Sequence, residues 1–192
     1  MLRMKRLFLS GLIVLFAYPV VAQNQTSSQA TAAATTPAVA ANPADVASPD
    51  AIIGAVYNVI SGHAGQKRDW ERMNSLFWPG ARLIRTKVNK EGGMSADSFN
   101  VQEYIERASK YFEKNGFTER EVARRTEKWA NILQAFSTYE SRHDVKDAAP
   151  FARGINSMQL FFDGTRWWIL TIYWQEEGSA NPLPAEFLPA VH

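Results

Sequence analysis

The chain has 192 residues, 46% hydrophobic and 21% charged, enough for one sizeable core and without the bias of collagen-like, low-complexity or wholly disordered sequences. It has no cysteine, which excludes a disulfide framework, thiolate metal sites, a cysteine nucleophile and anchoring through a lipidated cysteine. The formal charge is +2, but removing Arg3, Lys5 and Arg6 from the 21 basic residues leaves 18 against 19 acidic ones, so no basic footprint for nucleic acid or anionic membrane remains.

Those three cations precede an apolar run over 7–21, broken by Ser10 and Gly11, with Val20 and Ala22 at small-residue cleavage positions. Residues 1–22 therefore read as a signal peptide cut near Ala22, giving a periplasmic or secreted protein. The run is shorter than the ~20 apolar residues a spanning helix needs, so no stable membrane anchor is expected after cleavage. Residues 23–48 are Gln, Asn, Ser, Thr, Ala and Pro with one charge, Asp45, and no aromatic residue, and read as a disordered tether. Of 23 aromatic residues, 20 fall after it, which locates the folded domain at 49–177. The proline-rich 178–192 reads as extended chain over the surface, because proline lacks the amide donor.

Ser48-Pro49-Asp50 is a helix start, followed by Ile53, Val56, Tyr57 and Ile60 at helical spacing and stopped by Ser61-Gly62. A second short helix begins near Asp69, carries Trp70, Met73, Leu76 and Phe77, and ends at Pro79-Gly80 before a strand over 82–88. Gly92-Gly93 reads as a turn. Asn100-Val101-Gln102-Glu103 fits a capping box, with Phe99 and Tyr104 placed for a hydrophobic staple. Val101, Tyr104, Ile105, Ala108, Tyr111 and Phe112 then mark an amphipathic helix that leaves at Asn115-Gly116. Strands are expected over 117–128, 132–143, 151–162 and 166–177, the last two joined at Asp163-Gly164 with Phe162 opposite Thr165. The sum is an α+β domain, three N-terminal helices packed on one face of a strongly curved, mainly antiparallel sheet.

This order of elements, with Asp69-Trp70-Glu71-Arg72-Met73 leading to Leu76-Phe77-Trp78-Pro79-Gly80-Ala81-Arg82, resembles the nuclear transport factor 2-like superfamily of ketosteroid isomerases, scytalone dehydratase and SnoaL-like cyclases. Asp163-Gly164-Thr165-Arg166-Trp167-Trp168-Ile169 is similar to that superfamily's final strand. The resemblance implies a cone-shaped, cystatin-like α+β fold, a pocket closed by helices and frequent dimerisation through sheet faces. It implies no one reaction, since the fold hosts enzymes, binding proteins and assembly modules. No residue matches the isomerases' acidic base or oxyanion donors by local motif.

Period-two alternation sorts the last hairpin into a face with Asn156, Met158, Leu160, Phe162, Trp167, Ile169, Thr171 and Tyr173, and a face with Trp168, Leu170, Ile172 and Trp174. The first is expected inside, giving a ligand pocket lined by Trp70, Asn156, Thr171 and Tyr173, with Tyr139 as a further polar contact. The second is expected to be covered by another copy in a homodimer. If the faces are inverted, Glu140, Arg153 and Gln159 become the pocket set; otherwise Glu140 pairs with Arg142 or Arg153.

His63, His143 and His192 lack metal-ligand spacing, so no metal and no cofactor is expected. Ser137 and Ser157 have no nucleophile-elbow context. The charges over 119–128 read as cross-strand ion pairs on a solvated stretch. Three functions remain: noncatalytic binding of a small apolar or aromatic molecule, an isomerase-like, dehydratase-like or cyclase-like enzyme, and a dimeric interaction module. Catalysis would require an Asp, Glu or His facing the pocket with a perturbed pKa.

Overall fold

The computed structural model describes residues 40–89 and 91–189. The expected leader, and the expected tether as far as residue 39, lie outside the described residues.

The first ordered element falls where tether was expected. Asn42 caps a single turn, α1 (Pro43–Val46), by accepting from the Ala44 amide. Val46 is buried, and the Asp45 carboxylate accepts two bonds from Arg72, at 2.7 and 3.0 Å. Two side chains that each find a partner thus hold a stretch whose average composition is that of a linker. Ser48 then caps α2 (Pro49–Ile60), accepting from Ala51 at 3.1 Å, and Ile52, Ile53, Val56, Tyr57 and Ile60 turn into the core. Arg68 is buried in the following loop, donating to the carbonyls of Ile60, Gly62 and Phe117. Asp69 caps α3 (Trp70–Leu76), which buries Met73 and Leu76.

The sheet is made of β1 (Phe77–Val88), β2 (Met94–Phe99), β3 (Thr118–Trp129), β4 (Ile132–Arg142), β5 (Ala152–Phe162) and β6 (Trp167–Glu176), in the order β2-β1-β6-β5-β4-β3. All neighbouring strands are antiparallel except β1 and β6, which are parallel. β2 is additional to the expected strands. Its Met-Ser-Ala-Asp-Ser-Phe sequence has no β-branched residue, and it is a strand because hairpin register pairs it with β1 at the sheet edge. The helix α4 (Val101–Asn115) has both halves of its capping box, Glu103 N to Asn100 Oδ1 and Asn100 N to Glu103 Oε2, each 2.8 Å. This is a mainly antiparallel α+β cone with its helices on the inner face of a curved sheet.

Two bulges decide which side chains enter the cone. Around the β5–β6 turn Phe162 pairs with Trp167, two residues beyond the expected Thr165, and a two-residue slip keeps every side chain on its expected face. Asp163 sets this longer loop by accepting from the amides of Thr165 and Arg166 and from the Trp168 indole. Further along β6, Leu170 is an extra residue: Leu160 pairs with Ile169, but Gln159 pairs with Thr171. A one-residue insertion inverts everything beyond it. Ile172 and Trp174, opposite Met158 and Asn156, therefore face inward, while Thr171 and Tyr173 face outward. In β3 the extra residue is Val122, between the pairs Glu121–Tyr139 and Ala123–Thr138.

Gly116 carries the chain from α4 into β3 with φ +71°, and a Cβ there would collide with the His143 carbonyl oxygen. Gly116→Ala is expected to destabilise the protein by roughly 1–3 kcal/mol in urea unfolding. An unchanged midpoint would show that this turn does not constrain the start of β3.

Candidate active site

Between α2, α4 and the inner sheet face lies a cavity of about 560 Å³. Val56, Met73, Leu83, Met158 and Ile172 give it apolar walls, and Phe112 stacks on Phe117 at 4.1 Å at one side. Arg85, Asp97, Arg107 and Glu176 also line it, with Asp97 held by Lys87 at 2.5 Å and Arg85 only 3.9 Å from Glu176.

The chemically distinctive group is Glu119. It points inward because the β3 register pairs it with Ser141, and both strands present that position to the helices. Ser61, at the end of α2, fixes the backbone here by accepting from the Glu119 amide at 3.0 Å. One carboxylate oxygen accepts from Ser141 Oγ at 2.8 Å, the other from Asn156 Nδ2 at 3.2 Å. Among the described residues it forms no salt bridge. Burial pushes its pKa up to about 7, and the bonds from Ser141 and Asn156 only partly offset that. A carboxyl group with its pKa raised to about 7 thereby faces a cavity with apolar walls and a few charged groups.

Three tyrosines surround it. Tyr57 donates to or accepts from Ser137 at 2.7 Å and accepts from Asn156 at 3.1 Å. Tyr104, edge-on to Trp174 at 6.2 Å, and Tyr139 also line the cavity, and their hydroxyls make no hydrogen bond within the described residues. Gly154 makes room for Tyr139, since a Cβ there would meet its hydroxyl at 2.6 Å. Burial first, then the Glu119 charge, raises the pKa of all three phenols, so they remain neutral donors across the physiological range.

Of the expected lining residues, Asn156 and Tyr139 border the cavity. Thr171 and Tyr173 do not, because the Leu170 bulge turns them to the outer face, where Tyr173 is exposed. Trp70 does not line it either: its ring packs 6.4 Å from that of Phe112, and Met73, one turn later on α3, reaches the cavity instead. The four-residue apolar stripe expected on the outer face is likewise divided. Ile172 and Trp174 are inside, and Trp168 is buried beneath Trp78, with Arg166 stacked 3.6 Å above its ring. Glu140 pairs with Arg142 and Arg120, and Arg153 with Glu177, so none of them belongs to the cavity. His63 and His143 each bond a nearby backbone carbonyl, and among the described residues no three metal-ligating side chains cluster.

Sequence reasoning missed Glu119, placing it in a solvated charge run. The available signal was positional, since Glu119 follows the helix-exit glycine by three residues, at the half-buried start of β3.

No protein-family model and no curated protein matches the sequence. Solved structures do resemble it. A cystatin-like protein of unknown function from Nostoc punctiforme superposes with a TM-score of 0.50 at 9% identity, covering 67% of this chain and 87% of that one. An NTF2-like protein of unknown function from Shewanella baltica gives 0.40 at 13% identity over 69% and 98%. A candidate ketosteroid isomerase from Parabacteroides distasonis gives 0.46 at 10% identity over 69% and 90%. The chain has a cystatin-like α+β fold.

The raised carboxyl has a thermodynamic signature. The folded state keeps a proton on Glu119 up to about pH 7, whereas an unfolded glutamate releases it near 4.5. Between those values the folded state binds more protons, so this group's contribution to stability falls as pH rises and is lowest above pH 7. Glu119→Gln is expected to gain stability over the wild type by roughly 1–3 kcal/mol at pH 8, with the advantage vanishing toward pH 4. Urea unfolding at both pH values reads it, and equal wild-type deficits at both would contradict the burial argument.

Proposed function

We propose that the cone binds a small, largely apolar, ring-bearing molecule and that Glu119 removes and returns a proton on it. The observation that carries this reading is a cavity-facing carboxyl poised near pH 7 beside tyrosine hydroxyls with no partner among the described residues. That is the feature whose presence separates proton-transfer chemistry from passive binding. The volume suits one small molecule, since ligand cavities commonly run ~300–1,000 Å³.

In the ionised form Glu119 accepts a proton from a carbon made acidic by a neighbouring carbonyl. Tyr104 and Tyr139 are the donors available to the oxygen on which negative charge then builds. The proton returns to a second carbon, or a leaving group departs, so the reaction class is isomerisation, ring closure or elimination. Such chemistry needs no cofactor. A general base tuned near the working pH contributes roughly 10²–10⁴-fold in rate. Ser141 and Asn156 hold the carboxylate, and the aromatic wall of Phe112 and Phe117 excludes water and receives the ring.

Export remains part of the proposal, carried by the basic and apolar pattern of residues 1–22. So does a homodimer through the outer sheet face, now resting on exposed Tyr173 and Trp78 rather than on Ile172 and Trp174.

A thermal-shift screen of steroids, polyketide-like aromatics and terpenoid ketones should give ligands, about 2.7 kcal/mol of stabilisation accompanying a hundredfold excess over Kd. Ketone hits incubated in deuterated water should exchange carbon-bound hydrogen with the wild type, and Glu119→Gln should bind them while exchanging roughly 10²-fold or more slowly. Binding without Glu119-dependent exchange would make the cone a noncatalytic pocket.

A further inference from the structure

Glu119 is one end of a hydrogen-bonded chain that leaves the cavity along the helix-facing side of the sheet, beneath α2. Asn156 Nδ2 donates to both Glu119 Oε1, at 3.2 Å, and Tyr57 Oη, at 3.1 Å. Tyr57 Oη lies 2.7 Å from Ser137 Oγ, and Ser137 donates in turn to Glu121 Oε2. Glu121 does not line the cavity; it is gripped by Arg124, whose Nε reaches both carboxylate oxygens at 2.9 Å and whose outer nitrogen reaches Oε1 at 2.7 Å. Asp50, at the start of α2, bonds Arg124 from the other side at 2.5 Å. Ser137 is sealed from solvent, so the middle of the chain is buried between α2 and the sheet.

The chain has a polarity, and the far carboxylate imposes it. Glu121 can only accept, so the single Ser137 proton points to it. Ser137 is then left as an acceptor, and the single Tyr57 proton must point to Ser137. Tyr57 is in turn an acceptor toward Asn156, which therefore presents its NH₂ group to both Tyr57 and Glu119. Two carboxylates two residues apart on the same face of β3 are thus joined through groups that can all reverse together.

Building on the acid–base reading of Glu119, we propose that Glu121 is a positioning residue: through Ser137, Tyr57 and Asn156 it fixes the direction of every proton in the chain and holds Glu119 as a proton acceptor. If Glu121 becomes glutamine, Arg124 retains the amide oxygen and turns the NH₂ group toward Ser137. The chain then reverses: Ser137 donates to Tyr57, Tyr57 donates to Asn156, and Asn156 offers Glu119 its carbonyl oxygen. A carboxyl group facing an acceptor holds its proton more tightly. The other ionisable groups facing Glu119 are Tyr104 from α4 and Tyr139 from β4, with Arg85 and Glu176 further along the cavity wall on β1 and β6, and none of them is altered by the substitution.

This arrangement separates itself from a direct charge effect by sign. Removing a nearby negative charge lowers a carboxyl pKa, whereas reversing the chain raises it. The test is a pH titration of full-length protein carrying ¹³C-carboxyl glutamate, with the Glu119 resonance identified by its loss in Glu119→Gln. Glu121→Gln should raise the Glu119 midpoint by roughly one unit, and Ser137→Ala should abolish that rise when the two are combined. Glu121→Leu, which also leaves Ser137 no acceptor at that end, should report the same rise if the glutamine variant folds poorly. A lowered or unchanged midpoint in Glu121→Gln, or an equal rise with and without Ser137, overturns the relay. A wild-type midpoint in the ordinary carboxylate range would remove the acid–base role of Glu119, while the direction of the Glu121 effect would still decide on the chain.

Discussion

A cavity-facing carboxylate that forms no salt bridge among the described residues is the constraint around which the cone is organised. Withdrawing an unpaired charge from bulk water into a cavity lined by Met73, Leu83, Met158 and Ile172 is costly, and the protein meets that cost with neutral donors and a shifted proton equilibrium. Asn156 and Ser141 come from the two strands nearest Glu119 in the sheet, so their spacing is set by backbone register rather than by mobile loops. The helices complete the enclosure. α2 brings Tyr57 and fixes the Glu119 backbone through Ser61, and α4 brings Tyr104 and the aromatic wall.

The two bulges are what make the inner face chemically uneven. Upstream of Leu170, β6 sends Trp167 and Ile169 into a solid apolar core; beyond it, Ile172 and Trp174 line open space. The Val122 bulge lets Glu119, Glu121 and Arg124 all reach the helix side of β3, since two-residue steps alone would send residue 124 to the opposite face from 121. Without that extra residue Arg124 would face the other side of the strand and lose its hydrogen bonds to the Glu121 carboxylate.

Much of the architecture could be read in the sequence because its signals are local. The Ser48-Pro49 start, the Asn100–Glu103 capping box and the Gly116 exit each rest on a few adjacent residues whose backbone needs are specific, and the structure shows them as hydrogen bonds. The site was less readable because it depends on parity. Asn156 and Tyr139 lie ahead of the β6 bulge problem and were placed on the cavity side, whereas Thr171 and Tyr173 follow the extra residue and were placed on the wrong face. Nothing in Ile169-Leu170-Thr171 marks a bulge, since no glycine or proline is needed there. Glu119 was hidden for a different reason: a charged residue within a charged run looks solvated, and only the helices packing over one end of β3 distinguish it from Glu127.

The central claim is that Glu119 exchanges its proton near neutral pH inside the cone. Infrared difference spectroscopy across a pH series, wild type against Glu119→Gln, isolates the protonated-carboxyl stretch of this one group. A raised Glu119 carboxyl gives a band that is present at pH 6 and lost through a midpoint of about 7. A band that is already absent at pH 6 and emerges only near 4.5, the value of an unperturbed glutamate, would contradict it.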